Sequence, residues 1–329
     1  MKHAAIVGIG AYLPERRLTN ADLERMVDTT DEWIVTRTGI RERRIAADHE
    51  TTSSLGAEAA RAALGDAGLG PADIDLIVLG TSSPDHIFPS TAALVQARLG
   101  CTCPAVDVMA ACTSFIYALQ HATSSIESGR AKRVLVIGAE VFSRLIDWTD
   151  RGTCVLFGDG AGALVLEASD EAGVLGIELG ADGTGADVLT VKAGGSAFPA
   201  TVERIEAREH LVQMAGSEVF KFAVRVIPEA VRAALASSDL SVADARWFIP
   251  HQANQRILDT MADRLGVPHD RVFSNIANLG NTSAASIPLA MNDLYTTGNL
   301  RPGDVLALVG FGAGLTWGAA VVRWTKGAR

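Results

Sequence analysis

The stretch VMAACTSFIYAL, residues 108–119, sets Cys112 at the head of an apolar helix pattern. Phe115, Ala118, Leu119, Ala122 and Ile126 follow it at helical spacing, the mark of one buried face. That pattern predicts Cys112 in the first helical turn, where free N–H groups and the helix dipole favour a thiolate. A small buried apolar residue is the plain alternative for a free cysteine. Two further residues invite comparison: His251 in FIPHQANQRI, after a strand-like run, and Asn281 in NLGNTSAASIPLAMNDLY. A thiol with a histidine nearby is the layout of an activated nucleophile. Asn281 would add hydrogen-bond donors that never take up a proton. The glycine-rich GFGAGLTWG, residues 310–318, follows a strand and lets backbone N–H groups approach a ligand closely, as an oxyanion hole requires. Taken singly, these are an interior histidine, a helix cap and a tight turn. Their combination depends on what brings them together.

An internal repeat supplies that. AARAALGDAGLGPADIDLIVLGT from Ala59 matches AVRAALASSDLSVADARWFIPHQ from Ala230, with Leu69 on Leu240, an offset of 240 − 69 = 171. RVLVIGAE from Arg133 and DVLALVGFG from Asp304 match at the same offset, so Val134–Ile137 has a twin at Val305–Leu308. A fixed offset of about half the chain in two places points to duplication. The strands IDLIVLG, RVLVIG, RWFIP and DVLALVG are short continuous apolar runs, as in sheets covered on both faces. The expectation is an α/β architecture of two similar halves, residues 1–170 and 171–329. The same offset carries Cys112 to Ser283, two residues after Asn281, and Gly80 to His251. Cys112 and Asn281 are therefore expected to open equivalent helices that meet, with His251, at the junction of the halves.

Composition narrows the class. The 329 residues are 48% hydrophobic and 20% charged, ordinary for a globular enzyme and too apolar for a disordered chain. A net charge of −9 argues against a nucleic-acid partner. Cys101, Cys103, Cys112 and Cys154 show no paired CxxC spacing, so no metal site is expected. The start MKHAAIVGIGAYLPERR reads as a strand rather than a signal peptide, and no apolar stretch is long enough to span a bilayer; a cytoplasmic location and no membrane contact are expected. GIGAYLP and GDGAG (158–162) lack the full dinucleotide fingerprint, which excludes NAD binding.

The chain resembles the thiolase superfamily, and within it the β-ketoacyl-acyl-carrier-protein synthase III family. The motifs that carry the likeness span nearly all of it: DTTDEWIVTRTGIRERRIA (28–46), FPSTAALVQARLG (88–100), AACTSFIYAL (110–119), DRGTCVLFGDGAGALVL (150–166), GSEVFKFAV (216–224), PHQANQRI (250–257), SNIANLGNTSAASIPLA (274–290) and GFGAGLTWG. Degradative thiolases carry a second cysteine in the late glycine-rich loop, elongating synthases use two histidines, and plant-type polyketide synthases usually show GFGPG. The Cys112/His251/Asn281 set fits the initiating class best.

The resemblance implies a thiolase-like αβαβα sandwich and a decarboxylative condensation that starts fatty-acid biosynthesis. Cys112 would take the acyl group from acetyl-CoA or another short acyl-CoA. The backbone N–H groups of Cys112 and Ala313 would hold the oxyanion, Ala313 replacing the commoner glycine. His251 and Asn281 would donate to the thioester oxygen of malonyl-acyl-carrier protein, and no cofactor is implied. Trp33 and Arg151 would sandwich the CoA adenine, with Arg37 near the phosphates. Phe88 would enter the acyl pocket of the other subunit in a homodimer. Lys221, Arg225, Gln252 and Arg256 would receive the carrier protein.

Overall fold

The computed structural model describes residues 2–327, so Met1, Ala328 and Arg329, at the ends of the two expected halves, lie outside the described residues. Beside two short antiparallel pairs, Arg17–Thr19 with Glu42–Arg44 and Leu189–Val191 with Val212–Met214, its strands form two mixed sheets of matching topology. The first runs, in spatial order, His3–Tyr12, Gly160–Ser169, Arg133–Glu140, Leu76–Gly80 and Ala105–Val108. The second runs Val174–Ala181, Thr316–Arg323, Val305–Gly312 and Trp247–Pro250. In both, the first two pairings are antiparallel and the third is parallel. Where the first sheet adds Ala105–Val108, the second has only a parallel bridge between Phe248 and Val272.

The strands read as unbroken apolar runs because both of their faces are covered. In Arg133–Glu140, Val134 and Val136 face the middle of the molecule, whereas Leu135, Ile137 and Ala139 face outward. That is the alternation a pleated strand imposes. The middle layer is the helix pair Ser114–Glu127 and Ser286–Thr296. Its Phe115, Leu119, Ile287 and Met291 share one core with Leu164 of the first sheet and Leu308 of the second. Helices Thr52–Ala67 and Thr91–Leu99 cover the outer face of the first sheet; Gly216–Ala236 and Gln255–Leu265 cover that of the second. The layers are αβαβα.

Each large apolar side chain sealed in the middle layer contributes about 1.5–3 kcal/mol. The two central helices are thus fixed by burial from both sides, and the segments leading into them inherit that rigidity. Those segments carry Cys112 and Asn281.

Candidate active site

The repeat brings the two helix mouths together. Cys112 lies two residues before the helix Ser114–Glu127, not in its first turn; Thr113 holds the N-cap position, with its hydroxyl turned to Thr316 rather than to the helix N–H groups. The chain enters through a tight turn in which Ala111 takes φ +49, a left-handed conformation that costs a non-glycine residue free energy. Hydrogen bonds from Thr113 N–H to the Ala110 carbonyl and from Ser114 N–H to the Ala111 carbonyl, both 3.0 Å, hold the turn. Gly312, at the end of the strand Val305–Gly312, lies directly against it. A Cβ there would sit 2.7 Å from the Cys112 nitrogen, so only glycine permits this approach. Ala313 follows with φ outside the left-handed region.

Asn281 also departs from the expectation that it opens a helix. The 3₁₀ turn Ser283–Ala285 separates it from Ser286–Thr296. Its backbone is tied instead to the first half: Asn281 N–H donates to Leu156 and Gly158 N–H donates to Asn281, each at 2.9 Å. Its side-chain Oδ1 accepts the Ser283 backbone N–H at 2.9 Å. The Nδ2 hydrogens therefore face the cavity as donors.

His251 follows the strand Trp247–Pro250, and its ring packs edge-on against Phe311 at 5.4 Å. Its Nδ1 lies 2.7 Å from Ser286 Oγ, and that hydroxyl gives its single hydrogen to the Ser283 carbonyl at 2.8 Å. Nδ1 must then be the donor, which leaves a lone pair on Nε2. Burial pushes the imidazole down to about 3, so it is neutral at rest. Burial likewise pushes the Cys112 thiol up to about 12, reinforced by the Glu140 carboxylate and opposed by a hydrogen bond from Ser283. The expected resting thiolate is replaced by a neutral thiol, because desolvation outweighs the donors around it.

Cys112, His251, Asn281 and Gly312 line one cavity of about 530 Å³, together with Leu156, Phe157, Leu189 and Phe220. That is the size of a ligand site. The sequence model for 3-Oxoacyl-[acyl-carrier-protein (ACP)] synthase III matches residues 106–183, and the model for its C-terminal part matches 235–324. A beta-ketoacyl-[acyl-carrier-protein] synthase III of Roseiflexus castenholzii is 54% identical, with 98% of this chain and 99% of that one covered. The chain belongs to the synthase III family. A Desulfitobacterium hafniense member is 51% identical with 99% of both chains covered. The crystal structure of the Thermus thermophilus member superposes with a TM-score of 0.91 at 47% identity, covering 98% of this chain and 100% of that one. The fold is accordingly thiolase-like and the protein an acyl-transferring condensing enzyme.

Other residues singled out by the family resemblance fall into two groups. Trp33, Arg37, Lys221 and Arg256 line the same cavity as Cys112. The Trp33 ring has Arg37 over it at 4.7 Å and Arg151 at 4.8 Å, so the space an adenine would need is filled by the guanidinium of Arg151. Arg225 is exposed one turn along Gly216–Ala236 from Lys221 but lines a separate depression beside Asp182 and Glu229. Phe88 is 84% exposed on a loop away from its own chain's cavity. Gln252 is a correction. It is only 1% exposed and spends its amide on the Pro250 and Phe273 carbonyls and the Asn275 N–H, so it braces the His251 loop and cannot meet a carrier protein.

Three polar residues at the site have no role assigned from the sequence: Ser283, Ser286 and Glu140. Ser283 was reachable, since it is the 171-residue image of Cys112. Ser286 and Glu140 left no signal, being a serine in a small-residue run and a charge at the end of an apolar strand.

Proposed function

We propose that this synthase III condenses a short acyl-CoA with malonyl-acyl-carrier protein to give 3-oxoacyl-carrier protein, CoA and CO2, initiating fatty-acid synthesis in the cytoplasm. The observation that carries the reading is the shared cavity, lined by a buried thiol, an imidazole whose Nδ1 is already engaged and an amide whose oxygen is already engaged, which leaves Nε2 and Nδ2 free for a substrate. In acylation, Cys112 attacks the thioester carbon while His251 Nε2 takes its proton and passes it to the departing CoA thiolate. The Cys112 and Ala313 N–H groups receive the oxyanion; the close approach at Gly312 supports this pairing.

In condensation, loss of CO2 from the malonyl thioester leaves an enolate, whose carbon attacks acyl-Cys112. Asn281 Nδ2 donates to the enolate oxygen. The whole reaction consumes one proton, and we place it on His251 Nε2, which donates beside Asn281 and then returns Cys112 to the thiol. Decarboxylation supplies the carbanion, so this chemistry calls on no further cofactor.

The remaining assignments follow the same reading. CoA adenine enters by displacing Arg151 from Trp33, with Arg37 left to meet phosphate. Lys221 and Arg256 at the cavity mouth, with Arg225 beyond them, offer the local positive charge that an acidic carrier needs on a chain of net charge −9. A homodimer forms across the edge strand Ala105–Val108, where Ile87, Phe88, Val106 and Met109 are exposed apolar side chains. Phe88 then reaches the partner's acyl pocket. The halves, residues 1–170 and 171–329, are the products of a duplication. The reading is tested by whether Cys112 gains an acyl group from acyl-CoA and loses it to malonyl-carrier protein.

A further inference from the structure

The nucleophile has a twin, and the two touch. Ser283 stands 171 residues from Cys112, at the same place in the second half, and its Oγ lies 3.3 Å from the Cys112 Sγ with both residues buried. The hydroxyl is held there by an unusual backbone, since Ser283 takes φ +46 as Ala111 takes φ +49 next to Cys112. The turn Ser283–Ala285 is in turn anchored on the first half. Ala284 N–H donates to the Glu140 carboxylate, which is fully buried, also accepts from Thr81, Ser82 and Ser83, and lies within hydrogen-bond reach of the Ser283 hydroxyl, whose one hydrogen is therefore shared between the carboxylate and the Cys112 sulfur. Every one of those partners is neutral, an expensive setting for a carboxylate unless the geometry it enforces is needed.

We propose that Ser283 is a fourth catalytic group, donating its hydroxyl hydrogen to the Cys112 sulfur as the thiolate forms, and that Glu140 is the positioning residue that holds Ser283 there. The inference rests on Cys112 being the nucleophile. No bond is made or broken to Ser283; its hydrogen bond strengthens as charge grows on sulfur and relaxes once the acyl group is attached. The titratable groups facing Cys112 are Glu140, at the end of Arg133–Glu140, and His251, after Trp247–Pro250. The helix mouth (110–114), the turn (283–285) and the glycine-rich loop (310–316) present only neutral groups. A hydroxyl donor and a carboxylate thus act on the sulfur with opposite signs: Ser283 favours the thiolate and Glu140 opposes it.

The test is the rate of Cys112 alkylation by iodoacetamide across a pH series, with the modified residue located by peptide mass spectrometry. Ser283→Ala removes the donor and should slow alkylation about three- to tenfold at each pH below the thiol midpoint. Ser283→Gly removes the same hydroxyl while relieving the left-handed backbone, so it should slow alkylation equally even if the alanine variant is poorly folded. Glu140→Gln keeps an acceptor for Ala284 N–H but removes the charge, and should speed alkylation above about pH 7, where Glu140 is ionised. Serine variants that alkylate like the wild type, or a slower Glu140→Gln, would overturn the proposal. Acyl transfer from acyl-CoA to wild-type Cys112, followed in parallel, separates the two claims. If Cys112 is acylated but the serine variants behave as wild type, the Ser283 role falls and the nucleophile stands.

Discussion

The Asn281 side-chain oxygen accepts the Ser283 backbone N–H at 2.9 Å, and this one bond decides which end of the amide faces the cavity. A backbone N–H can only be met by an acceptor, so the donor end is committed to the site. Asn281→Asp keeps the shape and the Ser283 bond but replaces the inward donors with an acceptor. Condensation should fall about 100-fold or more. Acylation of Cys112, which needs no enolate donor, should stay within about threefold, an effect below ~1 kcal/mol. Single-turnover assays of the two half-reactions measure both.

Gly312 makes a second claim testable. The Cβ of Gly312→Ala would meet the Cys112 nitrogen at 2.7 Å, so the helix mouth must move away from the glycine-rich loop. Acylation should drop about 100-fold through loss of the paired oxyanion donors. The fold, buttressed by the central helices, should lose only about 1–3 kcal/mol. Equal acylation by the variant would mean that the two N–H groups do not act together.

Arg151 rests on Trp33 at 4.8 Å and also donates to the Asp28 carbonyl at 2.8 Å. If adenine inserts between them, Arg151→Ala should raise KM for acyl-CoA about tenfold, the loss of one stacked cationic contact. KM for the same acyl group on pantetheine, which has no adenine, should be unchanged. Steady-state kinetics on the two donors decides it.

Glu140 gives a pH dependence with a definite sign. Burial raises its carboxyl from 4.5 to about 7, against hydrogen bonds that favour the charge. A group with a raised folded pKa binds its proton more tightly in the fold. Its stabilisation is therefore complete below the ordinary value and is lost as pH rises through about 7, a change on the order of 3 kcal/mol. Wild type should lose stability relative to Glu140→Gln across that window in urea titrations. His251, depressed to about 3, loses its stabilising contribution as pH falls instead, and being common to both proteins it cancels from the difference. Parallel stability curves would mean that Glu140 does not titrate in the fold.

What was legible in the sequence follows from periodicity. The unbroken runs in Arg133–Glu140 and Val305–Gly312 announce strands covered on both faces, and the repeat announces two sheets of one design. The same repeat placed His251 after a strand and Ser283 opposite Cys112. Local backbone was less legible. Neither the start of the helix Ser114–Glu127 after Thr113 nor the 3₁₀ turn after Asn281 has a strong sequence signal, because both depend on close packing between the halves. The ionisation of Cys112 is illegible in the sequence for the same reason. A helix mouth favours a thiolate only while the group is well solvated, and the depth at which the fold buries Cys112 outweighs the donor that Ser283 supplies. Gln252 sits in HQAN among polar residues and reads as surface, yet three backbone groups of the loops around it absorb its amide.

The most direct test of the account is intact-protein mass spectrometry of the wild type with a series of short acyl-CoAs, followed by malonyl-acyl-carrier protein. The account predicts a mass gain of one acyl group, located at Cys112, that disappears on adding the second substrate as 3-oxoacyl-carrier protein forms. No gain with any acyl-CoA, or a gain at Cys112 that malonyl-carrier protein fails to discharge, would contradict it.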